Sequence, residues 1–464
     1  MGKFNNPKVV SAPRPALNSV QATPEPAQHL MTEPLAAESV AIREIPEEQV
    51  GTIQRVGFIA LCAYLLSGYA NDFSMRLFHS NAYLSIVTEV LLPILLVASG
   101  AMFRALRLRA GKLWLFFFVW MVIDLPFSVW RTGTAMLLMS YGPRNWIELF
   151  YVAAFATSVA SLRRLMNVQV VCSVLLVFSC LVFGSSGPDR FDIPHSLFFQ
   201  NANELAMYLL FGMTVLMYPI LRGSVIVRAL AFIALGLSLV HVLKTGSRGG
   251  LLGAIALFIA VFILSRQRVV VFLMVATGAL LATVFVSGHS LHRLTLAFTG
   301  TSLYDATTGD DLSAISSRLQ RRELLMRSIV LSFEHPLFGV GPGQFPVAVD
   351  VESKKEGKHS PWLGTHNSFT QVSSECGFPA FFCYVAVLWF SVSASYKLFR
   401  RTQDRPQWRD VNAMSFCLLT SCVVYAVCTF FDHVAYTSLL PFMGGFCISM
   451  KLATDRSLGD AGPA

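Results

Sequence analysis

The chain has 464 residues, of which 54% are apolar and only 14% charged, with a formal net charge of +9 at neutral pH. That balance excludes an ordinary water-soluble enzyme. Apolar runs of about 18 to 25 residues recur, each long enough to cross a bilayer.

Residues 1–50 stand apart, holding seven of the 21 prolines, four Lys/Arg and six Glu, with no run long enough to cross. Such a segment cannot bury enough apolar surface to offset its ordering entropy, so a disordered, Pro-rich cytoplasmic tail is expected. It also lacks the charged start and short apolar stretch of a cleavable signal peptide, so the first span is expected to target the chain.

From residue 51 to 452 the hydropathy predicts a single all-α, polytopic membrane domain. Its spans, about 12 in number, lie near 55–70, 82–103, 113–130, 145–162, 168–184, 203–221, 226–243, 249–264, 269–287, 376–396, 411–430 and 434–450. A short cytoplasmic tail, 453–464, follows.

Positive residues near span ends favour the cytoplasm. Every second loop is basic: Arg104, Arg107, Arg109 and Lys112; Arg163 and Arg164; Arg222 and Arg228; Arg266 and Arg268; then Lys397 through Arg409. Both termini are therefore expected in the cytoplasm. The net charge is largely explained by this topology, which points to anionic lipid headgroups as partners and not to nucleic acid.

Polar residues gather at the opposite side. The stretch SLFFQNANELAMYL, 197–210, opens a span with Gln200, Asn201, Asn203 and Glu204, which would either hydrogen-bond sugar hydroxyls or satisfy neighbouring backbone. In KTGSRGGLLGA, 244–254, Lys244 and Arg248 lie on so short a turn that they must sit at the bilayer edge, against the topological bias. They would meet lipid phosphates or cradle the phosphate of a ligand, with Gly249 and Gly250 letting it come close.

One long loop is expected on this side, from about 288 to 375. Within it, residues 313–334 carry apolar groups at 315, 319, 326, 329, 330 and 333, the spacing of one helical face. Asp310, Asp311 or Ser313 would cap this amphipathic helix and Pro336 would end it. At roughly 100° per residue, Arg322 falls inside the apolar stripe and Arg318 at its edge, where they would bind an anion or simply reach solvent. The turn FGVGPGQFP, 338–346, is glycine-rich but lacks the Lys-Ser/Thr of a phosphate loop.

The stretch GTHNSFTQVSSECGFPA, 364–380, sets His366, Asn367 and Glu375 just before an apolar run. Histidine titrates near neutrality and can take a proton from a hydroxyl, whereas arginines can stabilise an anionic leaving group. His366 with Arg248 and Arg318 thus suits transfer from a diphosphate-activated donor without a metal. Glu375 would orient the site or pair with an arginine. No metal or other cofactor is expected: Asp310 and Asp311 are adjacent but form no D-x-D, Asp72 stands alone in its loop, and no third ligand stands near His289 and His292. The nine cysteines lie in or beside spans without a C-x-x-C pair and read as apolar filler.

Taken in order, TGSRGGLLGA, SSRLQRRELL with EHPLFGVGPGQF, and THNSFTQVSSECGFPA resemble the O-antigen ligase and polymerase superfamily of bacterial envelope glycosyltransferases. FQNANELAMYL is similar to a further family pattern, so the resemblance covers roughly 197–396. It implies a glycosyltransferase C type fold with one large periplasmic loop, in the bacterial inner membrane, with the active site facing the periplasm. It further implies transfer of a glycan from an undecaprenyl diphosphate carrier to an acceptor, either lipid A core or another lipid-linked glycan. By motif position, Arg248 and Arg318 would hold the diphosphate and His366 would act as general base. Arg322, Lys244, Asn203, Asn367 and Glu375 complete the expected binding set. Two features depart from the family pattern: the Pro-rich extension, and Leu324 where an aromatic is common. The competing reading is a twelve-span transporter or lipid-glycan flippase, against which stand the lack of a repeat between 55–221 and 226–450 and the scarcity of mid-span charges beyond Glu89 and Asp124.

Overall fold

A computed structural model describes residues 51–80, 83–187, 190–196, 199, 201–269, 272, 276, 309–355, 357–360 and 362–458. The expectations for residues 1–50, for nearly all of the span 269–287, for Gln200, for His289 and His292 and for 459–464 lie outside the described residues. The described elements all belong to one compact unit, Ile42–Ala464.

The fold is helical, as the composition requires. The helices are α1 Thr52–Phe78, α2 Leu84–Ser99, α3 Met102–Ala105, α4 Arg109–Ile123, α5 Arg131–Tyr141, α6 Glu148–Phe155, α7 Val159–Phe183 and α8 Ala202–Arg222. They continue as α9 Val225–Lys244, α10 Arg248–Leu264, α11 Gly309–Glu334, α12 Phe345–Lys355, α13 Ser368–Thr402, α14 Arg409–Cys428 and α15 Leu439–Leu458. A two-residue antiparallel ladder pairs Ser185 with Asp192 and Ser186 with Phe191.

Among the described residues, seven helices are long and apolar enough to cross a membrane: α1, α4 with its following turn, α7, α8, α9, α13, and α14 with its preceding turn. Helices α2 and α10 are apolar but shorter. The core runs through α4, α6, α7, α8 and α13 to α15, with Trp114, Trp146, Trp408, Tyr384 and Phe446 almost inaccessible.

The span expected at 145–162 is not one helix. Helix α6 stops at Phe155, and α7 restarts at Val159 behind a capping box in which Ser158 Oγ accepts from Ser161 N at 3.1 Å and Ser158 N donates to Ser161 Oγ at 2.9 Å. Arg104, expected in a solvated turn, is instead buried and donates to the Thr157 carbonyl at 3.3 Å inside this break. A cap on the N-terminal amides and an arginine on a carbonyl satisfy the groups that a helix break exposes. Hydropathy cannot see such a break because the residues around it stay apolar. At the chain's end, α15 starts later than expected and runs on through 453–458.

Helix α11 also differs from expectation. It begins at Gly309, so Asp310, Asp311 and Ser313 lie within its first turns and not before them, and it ends at Glu334, two residues before Pro336. Its protein-facing side is Leu324, Ser328, Leu331 and Ser332, while Leu319, Met326, Val330 and Phe333 are exposed. The expected apolar stripe is thus the outward face. Leu324 fills a small core with Leu331, Val340, Phe345, Ala348 and Val349, where an aliphatic side chain does the packing.

The turn that follows α11 is locked to a kink in α13. Gly377 has φ 75°, and Pro379 has no N–H to offer the Glu375 carbonyl. The freed carbonyls are taken up from outside: Val340 N donates to Ser374 O and Gly341 N to Glu375 O, both at 2.9 Å, while Phe378 N turns to Pro336 O at 2.8 Å. The Glu375 carboxylate completes the latch by accepting from Gly343 N at 2.9 Å and Phe345 N at 3.3 Å. The glycines of the 338–346 turn therefore serve backbone approach to α13.

A β-carbon at Gly377 would fall 2.0 Å from the Leu337 carbonyl oxygen. Gly377→Ala is expected to cost at least ~1–2 kcal/mol from the left-handed backbone alone, visible as a lowered midpoint of thermal unfolding in detergent. An unchanged midpoint would show that the latch contributes nothing.

Candidate active site

The two segments that meet beyond α13 and α14 are joined residue by residue. Asn367 caps α13 by accepting from Phe369 N at 2.9 Å and Thr370 N at 3.0 Å, and its amide donates to the Phe430 carbonyl at 3.3 Å. Ser368 Oγ donates to Asp432 O at 2.8 Å and accepts from Val434 N at 2.9 Å, while Ser368 N donates to Thr429 O at 2.8 Å. Gln371 Oε1 accepts from Ala435 N at 3.2 Å. The polar residues of THNSFTQ are thus largely occupied in closing 365–371 onto 429–435.

This closure brings His366 to Asp432 and His433. His433 Nδ1 lies 3.4 Å from Asp432 Oδ1, an ion pair without hydrogen-bond geometry, and His433 N donates to the same oxygen at 3.0 Å. His366 Nδ1 lies 4.0 Å from that oxygen, and the two imidazoles meet edge to face with centroids 5.0 Å apart. His366 Nδ1, His433 Nδ1 and Asp432 Oδ2 are all buried without a hydrogen-bond partner. His366 has φ 51°, and a β-carbon at Gly364 would fall 2.6 Å from the His433 ring, so the backbone must pass close here.

Electrostatics separates the two histidines. Burial, then the neighbouring His433, then Arg321 and Arg190 push His366 down to about 4, with Asp432 pulling the other way. Burial also opposes the charge on His433, but Asp432 outweighs it, aided by Glu204 and Glu375, and holds the imidazole above its ordinary range. Burial works against the Asp432 carboxylate too, yet His433 and His366 keep it below the usual carboxylate range. At neutral pH the site therefore holds an ionised Asp432 and a neutral His366, with His433 the more readily protonated of the two imidazoles. A carboxylate facing Nδ1 favours the proton on that nitrogen and leaves Nε2 able to accept one.

The arginines come from several elements. Arg190 donates to Thr245 O at 2.9 Å and to Asn203 Oδ1 at 2.6 Å, and Ser247 Oγ donates to the same Asn203 oxygen at 2.9 Å. Asn203 thus fastens the α9–α10 turn to the start of α8. Lys244 ends α9 and Arg248 begins α10, both half-buried. Gly249 and Gly250 are taken up by packing, since β-carbons there would fall 2.7 Å from Phe431 Cβ and 2.8 Å from Ala206 Cβ.

On α11, Arg321 is half-buried at the middle of the protein-facing side, whereas Arg318 and Arg322 are exposed. At roughly 100° per residue they lie about 60° and about 100° from Arg321. Glu375 accepts from Tyr436 Oη at 2.6 Å in addition to the turn amides.

Arg190, Arg321, Asp432 and His433 were not singled out by sequence reasoning. The one available signal was FFDHVAY, two titratable residues side by side between apolar runs. His366, Asp432 and His433 also have donor atoms within 4.8 Å of one another, so they are the described residues that could hold a metal ion, a convergence that sequence reasoning also missed.

The fold defines a multi-pass membrane protein, and the site combines a neutral imidazole with two guanidinium groups, Arg321 and Arg190, near enough to act on it. Residues 229–385 match the family model described as O-antigen ligase, a segment that includes Arg248, Arg318, Arg321 and His366. That match bears out the motif resemblance to the O-antigen ligase and polymerase superfamily over this segment of a multi-pass membrane protein. Among curated proteins, none matches the chain.

The His366 ring is expected to stay neutral as pH falls through 6.5 and to take up its proton only near about 4. Histidine-labelled protein in nanodiscs, with His366→Ala for assignment, gives this by NMR titration. Because Asp432 is what holds His433 up against burial, Asp432→Asn should return His433 toward or below its ordinary value. A His366 titration near 6.5 in the native protein would contradict this account.

Proposed function

We propose that this protein moves a glycan from an undecaprenyl diphosphate carrier to an acceptor hydroxyl, on the periplasmic face of the bacterial inner membrane and without a metal. The observation that carries the reading is a neutral His366 set beside arginines, within a segment that matches O-antigen ligases. The arginine bias supports cytoplasmic termini, and the end carrying the Arg222–Asp410 ion pair, 2.6 Å, is taken as cytoplasmic.

In this reading Arg248, Arg318 and Arg321 receive the diphosphate, with Lys244 adding charge at the rim. His366 accepts the proton of the acceptor hydroxyl as that oxygen bonds to the anomeric carbon. The carbon–oxygen bond to the diphosphate breaks at the same time, and its electron pair leaves with the carrier. Arginines stabilise the developing negative charge, a role that needs positioned cations and no metal. The protein-facing position of Arg321 supports it over Arg322 as the closer phosphate ligand.

Purified protein in lipid, given undecaprenyl diphosphate-linked repeat units with and without lipid A core, tests the reaction. Longer chains on the carrier would make it a polymerase, and glycan on lipid A a ligase. His366→Ala is expected to lower the transfer rate about 10²–10⁴-fold, as removal of a general base does. Arg321→Ala is expected to lose at least about tenfold, and Arg322→Ala less than Arg321→Ala, in keeping with charge-assisted contacts at the two positions. Undiminished transfer by His366→Ala would remove the proposed mechanism.

A further inference from the structure

Three donor atoms of the site face one another with no use made of them by the rest of the chain. His366 Nδ1, His433 Nδ1 and Asp432 Oδ2 are buried without a hydrogen-bond partner, and the Asp432 side chain is only 5% exposed. Asp432 Oδ1, which accepts from the His433 amide at 3.0 Å, lies 3.4 Å from His433 Nδ1 and 4.0 Å from His366 Nδ1. A carboxylate oxygen has a second lone pair, so this one can accept again. Two ligands of a tetrahedral Zn²⁺ at the usual bond lengths stand about 3.4 Å apart. One pair already has that spacing and the other is close to it.

The donor set also selects the ion. Two imidazoles and a carboxylate suit a borderline transition ion such as Zn²⁺, whereas Mg²⁺ and Ca²⁺ take oxygen ligands. Three protein ligands leave a fourth position for water. An ion has a way in, because His433 lines a cavity of about 810 Å³ that takes in the exposed Trp362 and the carboxyl residues Glu89, Glu148, Glu204 and Glu375. The guanidinium groups of Arg321 and Arg190, which act on His366, oppose a dication, so the ion is a reversible ligand and not a resident cofactor.

We propose that His366, Asp432 and His433 form an inhibitory site for a divalent transition-metal ion. The inhibition rests on the transferase reading above and adds a regulation of that same site, whereas binding of the ion stands on the geometry alone. A neutral imidazole carries one proton between its two nitrogens. Coordination through Nδ1 sends the proton of that nitrogen to water, and Nε2 takes one up in its place. In the transferase reading Nε2 is the atom that accepts the proton of the acceptor hydroxyl. Once it carries N–H it has no lone pair for that proton, and the base is switched off.

The test uses tag-free full-length protein in nanodiscs of zwitterionic lipid, titrated with the chlorides of Zn²⁺, Co²⁺, Mg²⁺ and Ca²⁺. Zn²⁺ is expected to bind by calorimetry, and Co²⁺ to give visible absorption bands that Zn²⁺ abolishes. His433→Ala and Asp432→Asn are each expected to weaken Zn²⁺ binding at least about tenfold. Saturating Zn²⁺ is expected to lower glycosyl transfer at least about tenfold, with recovery on chelation, while Mg²⁺ and Ca²⁺ change it less than about twofold. Should one variant not fold, the other and His366→Ala decide the binding. No Zn²⁺ binding above that of empty nanodiscs overturns the site, as does binding that these variants leave unchanged. Binding through the cluster with undiminished transfer overturns the inhibition. Binding through the cluster by protein that transfers no glycan even in metal-free buffer instead overturns the transferase reading and leaves the metal site standing.

Discussion

The carboxylate of Asp432 is the constraint on which the site depends. It is 5% exposed at the head of an apolar bundle, where an unpaired charge is costly. One oxygen has the His433 amide and imidazole, whereas the other has no hydrogen bond. Such a group holds cationic donors near it, which is why two imidazoles converge there and why 365–371 is bound so closely to 429–435. His433 answers the charge. His366, farther away and facing arginines, does not, and so remains a base.

That arrangement gives donor binding a means of tuning the base. In the free protein Arg321 and Arg190 oppose protonation of His366. An anion bound by the arginines offsets part of their field, and the pull of Asp432 then counts for more. On the proposed function, His366 would become more basic with a diphosphate bound there, closer to the range in which proton transfer is efficient near neutrality. The same field weighs on the metal question. A divalent cation would satisfy the three open donor atoms of His366, Asp432 and His433, but it would sit within reach of two guanidinium groups, whereas an anion is welcomed by them.

Much of the framework was legible in the sequence because its causes are local. Apolar length gave most helices, Asn201 and Asn367 stand where helix caps belong, and Gly377 with Pro379 marks the break in α13. The failures have physical reasons. The interruption at 156–158 turns on serine caps and on Arg104, which no hydropathy window weighs. On α11 the period was right and the stripe of Leu319, Met326 and Val330 is the exposed face, but lipid and protein core both accept apolar side chains, so the stripe alone cannot say which of them it meets. Weighing the arginines against that stripe brought forward Arg322, whereas the protein-facing side carries Arg321. Asp432 lies 66 positions beyond His366, and only the folded chain shows them as neighbours.

Charge is divided across the pair of imidazoles, arginines toward His366 and carboxyl groups toward His433. The division maps onto the chain. The segment matched by the O-antigen ligase model contains His366, Arg248, Arg318 and Arg321, whereas Glu89, Glu148, Glu204, Asp432 and His433 fall outside it and only Glu375 of the cavity carboxyls falls within. A transferase that must serve one kind of carrier but varied acceptors has reason to be built this way. The diphosphate presents the same charge whatever glycan it bears, so its binding groups form a set that one family model can capture. The acceptor is a saccharide of particular pattern, and its hydroxyls must be met by groups placed for that pattern alone. The family match thus covers His366 and three of the arginines, while most of the cavity carboxyls belong to α2, α6 and α8, outside the matched segment.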